Sequence, residues 1–93
     1  MIKENFILNK LKNNQSVIGT WCTIPSPIVT DIICSSNLDF VIIDMEHGPI
    51  SFETAQEMII TSESRNVSPI IRVPSVNQND TLRSLDIGAH GIQ

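Results

Sequence analysis

Apolar and polar positions along this chain fall into blocks that switch between a helical and a strand-like period. Phe6, Ile7, Leu8 and Leu11 recur at helical spacing and end at the polar run Lys12-Asn13-Asn14-Gln15, which predicts a short amphipathic helix. Val17 to Ile24 is rich in β-branched residues and carries Trp21, the composition of a strand. Pro25-Ser26-Pro27 follows, and Ser26 as N-cap with Pro27 at the first helical position makes a good helix start. Ile28 pairs with Ile32, and Val29 with Ile33, at helical spacing. One buried helix face is expected there, stopped at Ser36-Asn37.

Asp39 to Asp44 reads as the second strand. Its stretch Phe40-Val41-Ile42-Ile43 does not alternate, which predicts cover on both faces, as in a parallel sheet. Gly48-Pro49 turns the chain, and Ser51 can cap a helix to about Arg65 whose inner stripe is Phe52, Ala55, Met58 and Ile59. Pro69 to Val73 is the third strand. Asn77 can cap a third crossover helix bearing Leu82, Leu85 and Ile87, with Gly88 as its stop. Gly91-Ile92-Gln93 then begins a further apolar segment.

Strands alternating with helices imply right-handed βαβ units and a parallel sheet. Either a doubly wound sheet or a (β/α)₈ barrel could contain them. No G-x-G-x-x-G or G-x-x-x-x-G-K-[ST] follows any strand, which removes the main support for nucleotide binding. A complete barrel takes about 250 residues. Residues 1–93 are therefore expected to be a truncated piece of one domain, its N-terminal three to four βα units.

Composition narrows the function classes. With 41% apolar and 17% charged residues the chain has a globular balance, not a disordered one. A net charge of −4 with six scattered Lys and Arg leaves no basic stripe for a phosphate backbone, so nucleic acid is excluded as a partner. The longest apolar run is far short of a membrane span, and Met1-Ile2-Lys3-Glu4-Asn5 has no secretory h-region. Cys22 and Cys34 lack C-x-x-C spacing and read as reduced core residues. A cytoplasmic protein is the expectation.

The chemistry-bearing residues collect where strands end. Asp44, Glu46 and His47 follow Val41-Ile42-Ile43, and Arg72 closes Ile70-Ile71. In parallel α/β folds those ends hold the active site. Burying such groups is costly unless they pair with each other or with a ligand. A structural ion pair of Asp44 or Glu46 with Arg72 would meet that need without any chemistry. His90 reads as structural or exposed, Trp21 as barrel core or mouth lining, and Met45 as a candidate pocket residue.

Ile43-Asp44-Met45-Glu46-His47-Gly48-Pro49 resembles the I-D-x-E-H-x-P segment after the second barrel strand of the HpcH/HpaI aldolases. Ile18-Gly19-Thr20-Trp21, Ile71-Arg72-Val73-Pro74 and Leu85-Asp86-Ile87-Gly88-Ala89-His90-Gly91 match further pieces of that family, in its order and spacing. The likeness runs from about Asn5 to the end. It implies a (β/α)₈ barrel of the phosphoenolpyruvate/pyruvate type and a metal-dependent retro-aldol cleavage of 4-hydroxy-2-oxo acids to pyruvate and an aldehyde. It implies His47 as the base, Arg72 as the group stabilising the enolate oxygen, and Asp86 as a carboxylate raising the basicity of that histidine. Asp44 and Glu46 would hold metal-bound water. The direct ligands of the Mg²⁺, Mn²⁺ or Co²⁺, a Glu and an Asp, would lie beyond Gln93, so these 93 residues alone are expected to be inactive. Asp86 falls near a helix end, at the rim opposite such a site, which suggests contact with a neighbouring subunit of a homo-oligomer, a trimer or hexamer. The competing readings are a citrate-lyase-β-like acyl-CoA lyase and a non-catalytic half-barrel that serves only in binding or assembly.

Overall fold

The chain's elements, in a computed structural model that describes residues 4–93, run α1 (Phe6–Lys12), β1 (Gly19–Cys22), α2 (Pro27–Cys34), β2 (Phe40–Asp44), α3 (Phe52–Ser64), β3 (Ser68–Arg72), α4 (Gln78–Asp86) and β4 (Gly91–Ile92). The first part of the Met1–Asn5 segment, read above as leaderless, lies outside the described residues. Each helix starts on a side-chain cap. Asn5, Ser26, Ser51 and Asn77 accept from the backbone N–H of Leu8, Val29, Thr54 and Asp80 respectively. These bonds satisfy donors that the first helical turn would otherwise leave open.

The four strands form one parallel sheet in the order β1-β2-β3-β4. A doubly wound sheet reverses its strand order at a switch point. Here the order follows the chain without reversal, as in a (β/α)₈ barrel, and the described chain is part of one. Every strand end that follows is thereby brought to one rim.

The sheet has two unlike faces. Val41, Ile43 and Ile71 point to the helices and are wholly buried against Ala55, Met58 and Ile59 of α3, with Cys22 and Cys34 in the same cluster. The opposite face carries Trp21, Ile42, Asp44, Ile70 and Arg72, and its apolar members are only partly covered. Cover on both faces of β2, expected from its unbroken apolar run, is thus complete on the helix side alone within this chain. Both cysteines are buried and free.

Three expectations from periodicity need correction. Ile28 and Ile32 are 74% and 62% exposed, and α2 turns Thr30 and Cys34 inward with Ile33 half-buried. Two apolar pairs one position apart cannot both centre the buried stripe, and the sheet takes the side on which Thr30 can satisfy itself. Its Oγ1 donates to Ser26 O at 2.9 Å. Leu82 and Leu85 of α4 are likewise half-exposed, while Ser84 is buried and donates to Asp80 O at 2.7 Å. β1 is shorter than Val17–Ile24 because its ladder with β2 runs only from Gly19 to Cys22, leaving Ile18 and Ile24 exposed.

Helix α1 closes the N-terminal end of the sheet. The Ile7 N–H donates to Ser68 Oγ at 3.2 Å, Asn5 Nδ2 donates to His90 O at 2.9 Å, and the Phe6 ring tilts against the His90 ring with centroids 5.6 Å apart. His90 is itself buried, with Nδ1 2.9 Å from Ser68 Oγ and Nε2 3.1 Å from Glu63 Oε2. It is a structural residue of the barrel floor. Among the described residues no helix is long and apolar enough to cross a membrane.

Candidate active site

β2 and β3 run in parallel with Asp44 level with Arg72, so the two strands deliver an acid and a base side by side at their C-terminal ends. Beyond Asp44 the chain makes a tight turn around that carboxylate. Its Oδ1 accepts the backbone N–H of both Glu46 and His47 at 3.0 Å, and the Gly48 N–H donates to Asp44 O at 3.1 Å. A Cβ at Gly48 would lie 2.6 Å from two backbone oxygens, those of Asp44 and Thr23. Only glycine fits, and the turn it allows brings Glu46 and His47 back over the strand ends.

Arg72 grips Asp44 with two parallel bonds, Nε to Oδ1 at 3.0 Å and Nη2 to Oδ2 at 2.6 Å. This fork-to-fork geometry is the strong form of the pair. The same Nη2 lies 2.6 Å from His47 Nδ1. A guanidinium has no acceptor, so the imidazole nitrogen accepts and a neutral His47 carries its proton on Nε2. Glu46 Oε1 stands 3.6 Å from both His47 Nε2 and Arg72 Nη1, within ion-pair reach but beyond a direct hydrogen bond.

Exposure rises stepwise across the cluster. The side chains are 3% exposed at Asp44, 23% at Arg72, 45% at Glu46 and 65% at His47. The Arg72 guanidinium beside Asp44 holds its carboxyl well below the usual carboxylate range, helped by the turn amides of His47 and Glu46 and only partly opposed by burial. The same bonds raise Arg72 above its ordinary value. Asp44 is therefore a fixed anion and Arg72 a fixed cation. His47 is left as the accessible group that can take and return a proton beside a permanent positive charge, which is the equipment for moving a proton while an oxyanion develops.

Among the described residues no three His, Cys, Asp or Glu side chains converge as a metal site. Asp44 has its oxygens engaged by Arg72 and the turn amides, and Glu46 is the carboxylate left facing the mouth. These residues do not form a metal centre by themselves. Asp86, the last residue of α4, is exposed at the rim opposite His47. The structure thus brings Asp44, Glu46, His47 and Arg72 together and leaves Asp86 apart. Met45 is 6% exposed and belongs to the hydrophobic core cluster. Pattern reading missed the contact of Trp21, over whose ring the Arg72 guanidinium lies at 4.3 Å. The signal for it was available in strand alternation, which puts Trp21 on the same face as Asp44 and Arg72.

No family model matches the chain. A pyruvate aldolase of Rhizobium etli is 32% identical over 84 residues, covering 90% of this chain and 33% of that protein. Among solved structures, the citrate synthase SbnG superposes with a TM-score of 0.90 at 38% identity over 96% of this chain and 36% of its own. An HpcH/HpaI aldolase from Desulfitobacterium hafniense gives 0.85 at 32% identity over 94% and 34%. The chain thus spans about a third of the length of the relatives it matches.

Proposed function

This chain belongs to the HpcH/HpaI aldolase family, and on that premise we propose that it is part of a lyase cleaving 4-hydroxy-2-oxo acids to pyruvate and an aldehyde. The observation that carries the reading is the contact of an exposed imidazole with an anchored guanidinium at the ends of β2 and β3. His47 takes the proton of the C4 hydroxyl, through a water. The C3–C4 bond then breaks, the aldehyde leaves, and the bonding pair becomes an enolate whose charge sits on the C2 oxygen. Arg72 stabilises that oxygen with the Nη1 hydrogens, whose ion-pair partner among the described residues is the Glu46 carboxylate 3.6 Å away. A planar, permanently charged fork suits this task better than the flexible point charge of a lysine. Protonation at C3 completes pyruvate.

A divalent cation, Mg²⁺, Mn²⁺ or Co²⁺, would act as a Lewis acid on the 2-oxo acid, held by a Glu and an Asp outside these residues. Glu46 is the residue here best disposed to hold water beside it. Asp86 would serve His47 of a neighbouring subunit, in a trimeric or hexameric enzyme of the cytoplasm. Dilution to monomers should then abolish turnover, and full activity of monomers would remove Asp86 from the site.

The deciding experiment follows pyruvate release from 4-hydroxy-2-oxo acids by the full-length protein, before and after chelation and with His47→Ala. Loss on chelation, recovery with the added metal, and a crippled variant are expected. Normal release by His47→Ala would sink the reading. The likeness to a citrate synthase favours a second one, in which the same groups stabilise an enolate that forms a carbon–carbon bond. Citrate formation without pyruvate release would select it.

A further inference from the structure

We propose that Trp21 is a positioning residue for Arg72, fixing the plane of the guanidinium so that its free Nη1 edge faces the substrate oxygen. The inference rests on the enolate-stabilising role given to Arg72 above. Three consecutive strands each supply one residue to this arrangement. Trp21 comes from β1, Asp44 from the end of β2 and Arg72 from the end of β3. Trp21 is level with Ile42, whereas Arg72 is level with Asp44. The two side chains close that offset across β2, with the Arg72 guanidinium 4.3 Å from the indole centroid.

Asp44 alone cannot orient this group fully. Its two bonds fix the Nε–Nη2 edge but leave the plane free to rock about that edge. His47 meets the guanidinium at Nη2, on that same edge, and Glu46 stands 3.6 Å from Nη1, beyond a direct hydrogen bond, so neither holds the plane from its face. The indole closes one face of the plane by cation–π attraction, strongest for tryptophan among the aromatic residues. Trp21 lies on the sheet face that also carries Asp44 and Arg72, where its ring can meet the guanidinium directly. A large aromatic in that position lies against the one cation that faces the mouth from β3 and covers one side of its plane.

The test uses the full-length protein with Trp21→Leu, Trp21→Phe, Arg72→Lys and the Trp21→Leu/Arg72→Lys double variant. Trp21→Leu is expected to lower kcat on the order of tenfold, with KM and Tm nearly unchanged, and Trp21→Phe to restore part of the loss. In the Arg72→Lys background, which has no plane to orient, the leucine should cost nothing further. The Nε–H resonance of Arg72, read in arginine-labelled protein, should lose its ring-current shift in Trp21→Leu and keep part of it in Trp21→Phe. An equal kcat loss in both backgrounds, or an Arg72 resonance that does not move, would overturn the proposal. If Trp21→Leu fails to fold, the Phe variant carries the same two readouts. A wild type that releases no pyruvate overturns the aldolase reading instead, and the resonance still decides whether Trp21 holds the guanidinium.

Discussion

His47 and His90 stand at opposite ends of one parallel sheet, each beside a carboxylate and each bonded through Nδ1, and they differ in what surrounds those contacts. The His90 side chain is 6% exposed, and both ring nitrogens are occupied, by Ser68 and by Glu63. Its backbone carbonyl accepts from Asn5 and its ring packs on Phe6. Nothing is left over for a ligand. His47 is 65% exposed, and its single short contact is to a guanidinium that is itself anchored from behind by a buried aspartate. The lesson is that a histidine–carboxylate pair identifies neither structure nor chemistry. Accessibility and spare hydrogen-bonding capacity separate the two, as does their place at the floor or the mouth of the barrel.

Substitution at the two histidines breaks the comparison most directly. His47→Ala should lower turnover by about 10²–10⁴-fold, the range for loss of a general base, while the urea midpoint of the full-length protein stays close to wild type. His90→Ala should reverse the pattern. It strips buried partners from Ser68 and Glu63 and should cost about 2 kcal/mol in urea unfolding, with turnover little changed. A His47→Ala protein that unfolds early but turns over normally would exchange the two roles and end the argument.

Asp44→Asn comes next in size at the mouth. Removing the charge leaves Arg72 without its anchor and should cost about 3 kcal/mol, the low end for a broken buried pair because Arg72 keeps some solvent. Turnover should fall as well, since the guanidinium that faces the substrate loses its fixed edge. Stability loss without activity loss would make Asp44–Arg72 the purely structural ion pair that strand-end charges often are.

Much of this geometry was legible because it depends on local rules. Ser26, Ser51 and Asn77 cap the helices they were expected to cap, since a capping side chain reaches only its own first turn. Asp44 and Arg72 could be brought to one rim by the βαβ rule alone, before any contact was known. Properties set by tertiary context were not legible. Which side of α2 meets the sheet depends on docking, so Ile28 and Ile32 were misjudged, and Thr30 was overlooked because its burial depends on a back-bond to Ser26. The floor network of Ser68, His90 and Ile7 joins residues far apart in the chain, and no periodicity encodes it.

The smallest expected effect, and the sharpest test of the mouth cluster's electrostatics, is a difference between wild type and Asp44→Asn that does not change with pH near neutrality. Asp44 is held below the usual carboxylate range, chiefly by Arg72. A carboxyl whose folded pKa lies below its unfolded one contributes stability that is full above the unfolded value, about 3.9, and is lost as pH falls through the folded value. The gap between the urea midpoints of wild type and Asp44→Asn should therefore stay constant from about pH 8 to pH 5 and close only below about pH 4. Comparing the two proteins cancels every other titrating group that the substitution leaves alone, the floor cluster included. A gap that already closes between pH 7 and pH 5 would mean that Asp44 binds a proton there, so that Arg72 is not its permanent partner. The fixed-charge anchor beneath His47 would then be lost, and with it the contrast between an accessible base on a rigid support and a histidine buried in the barrel floor.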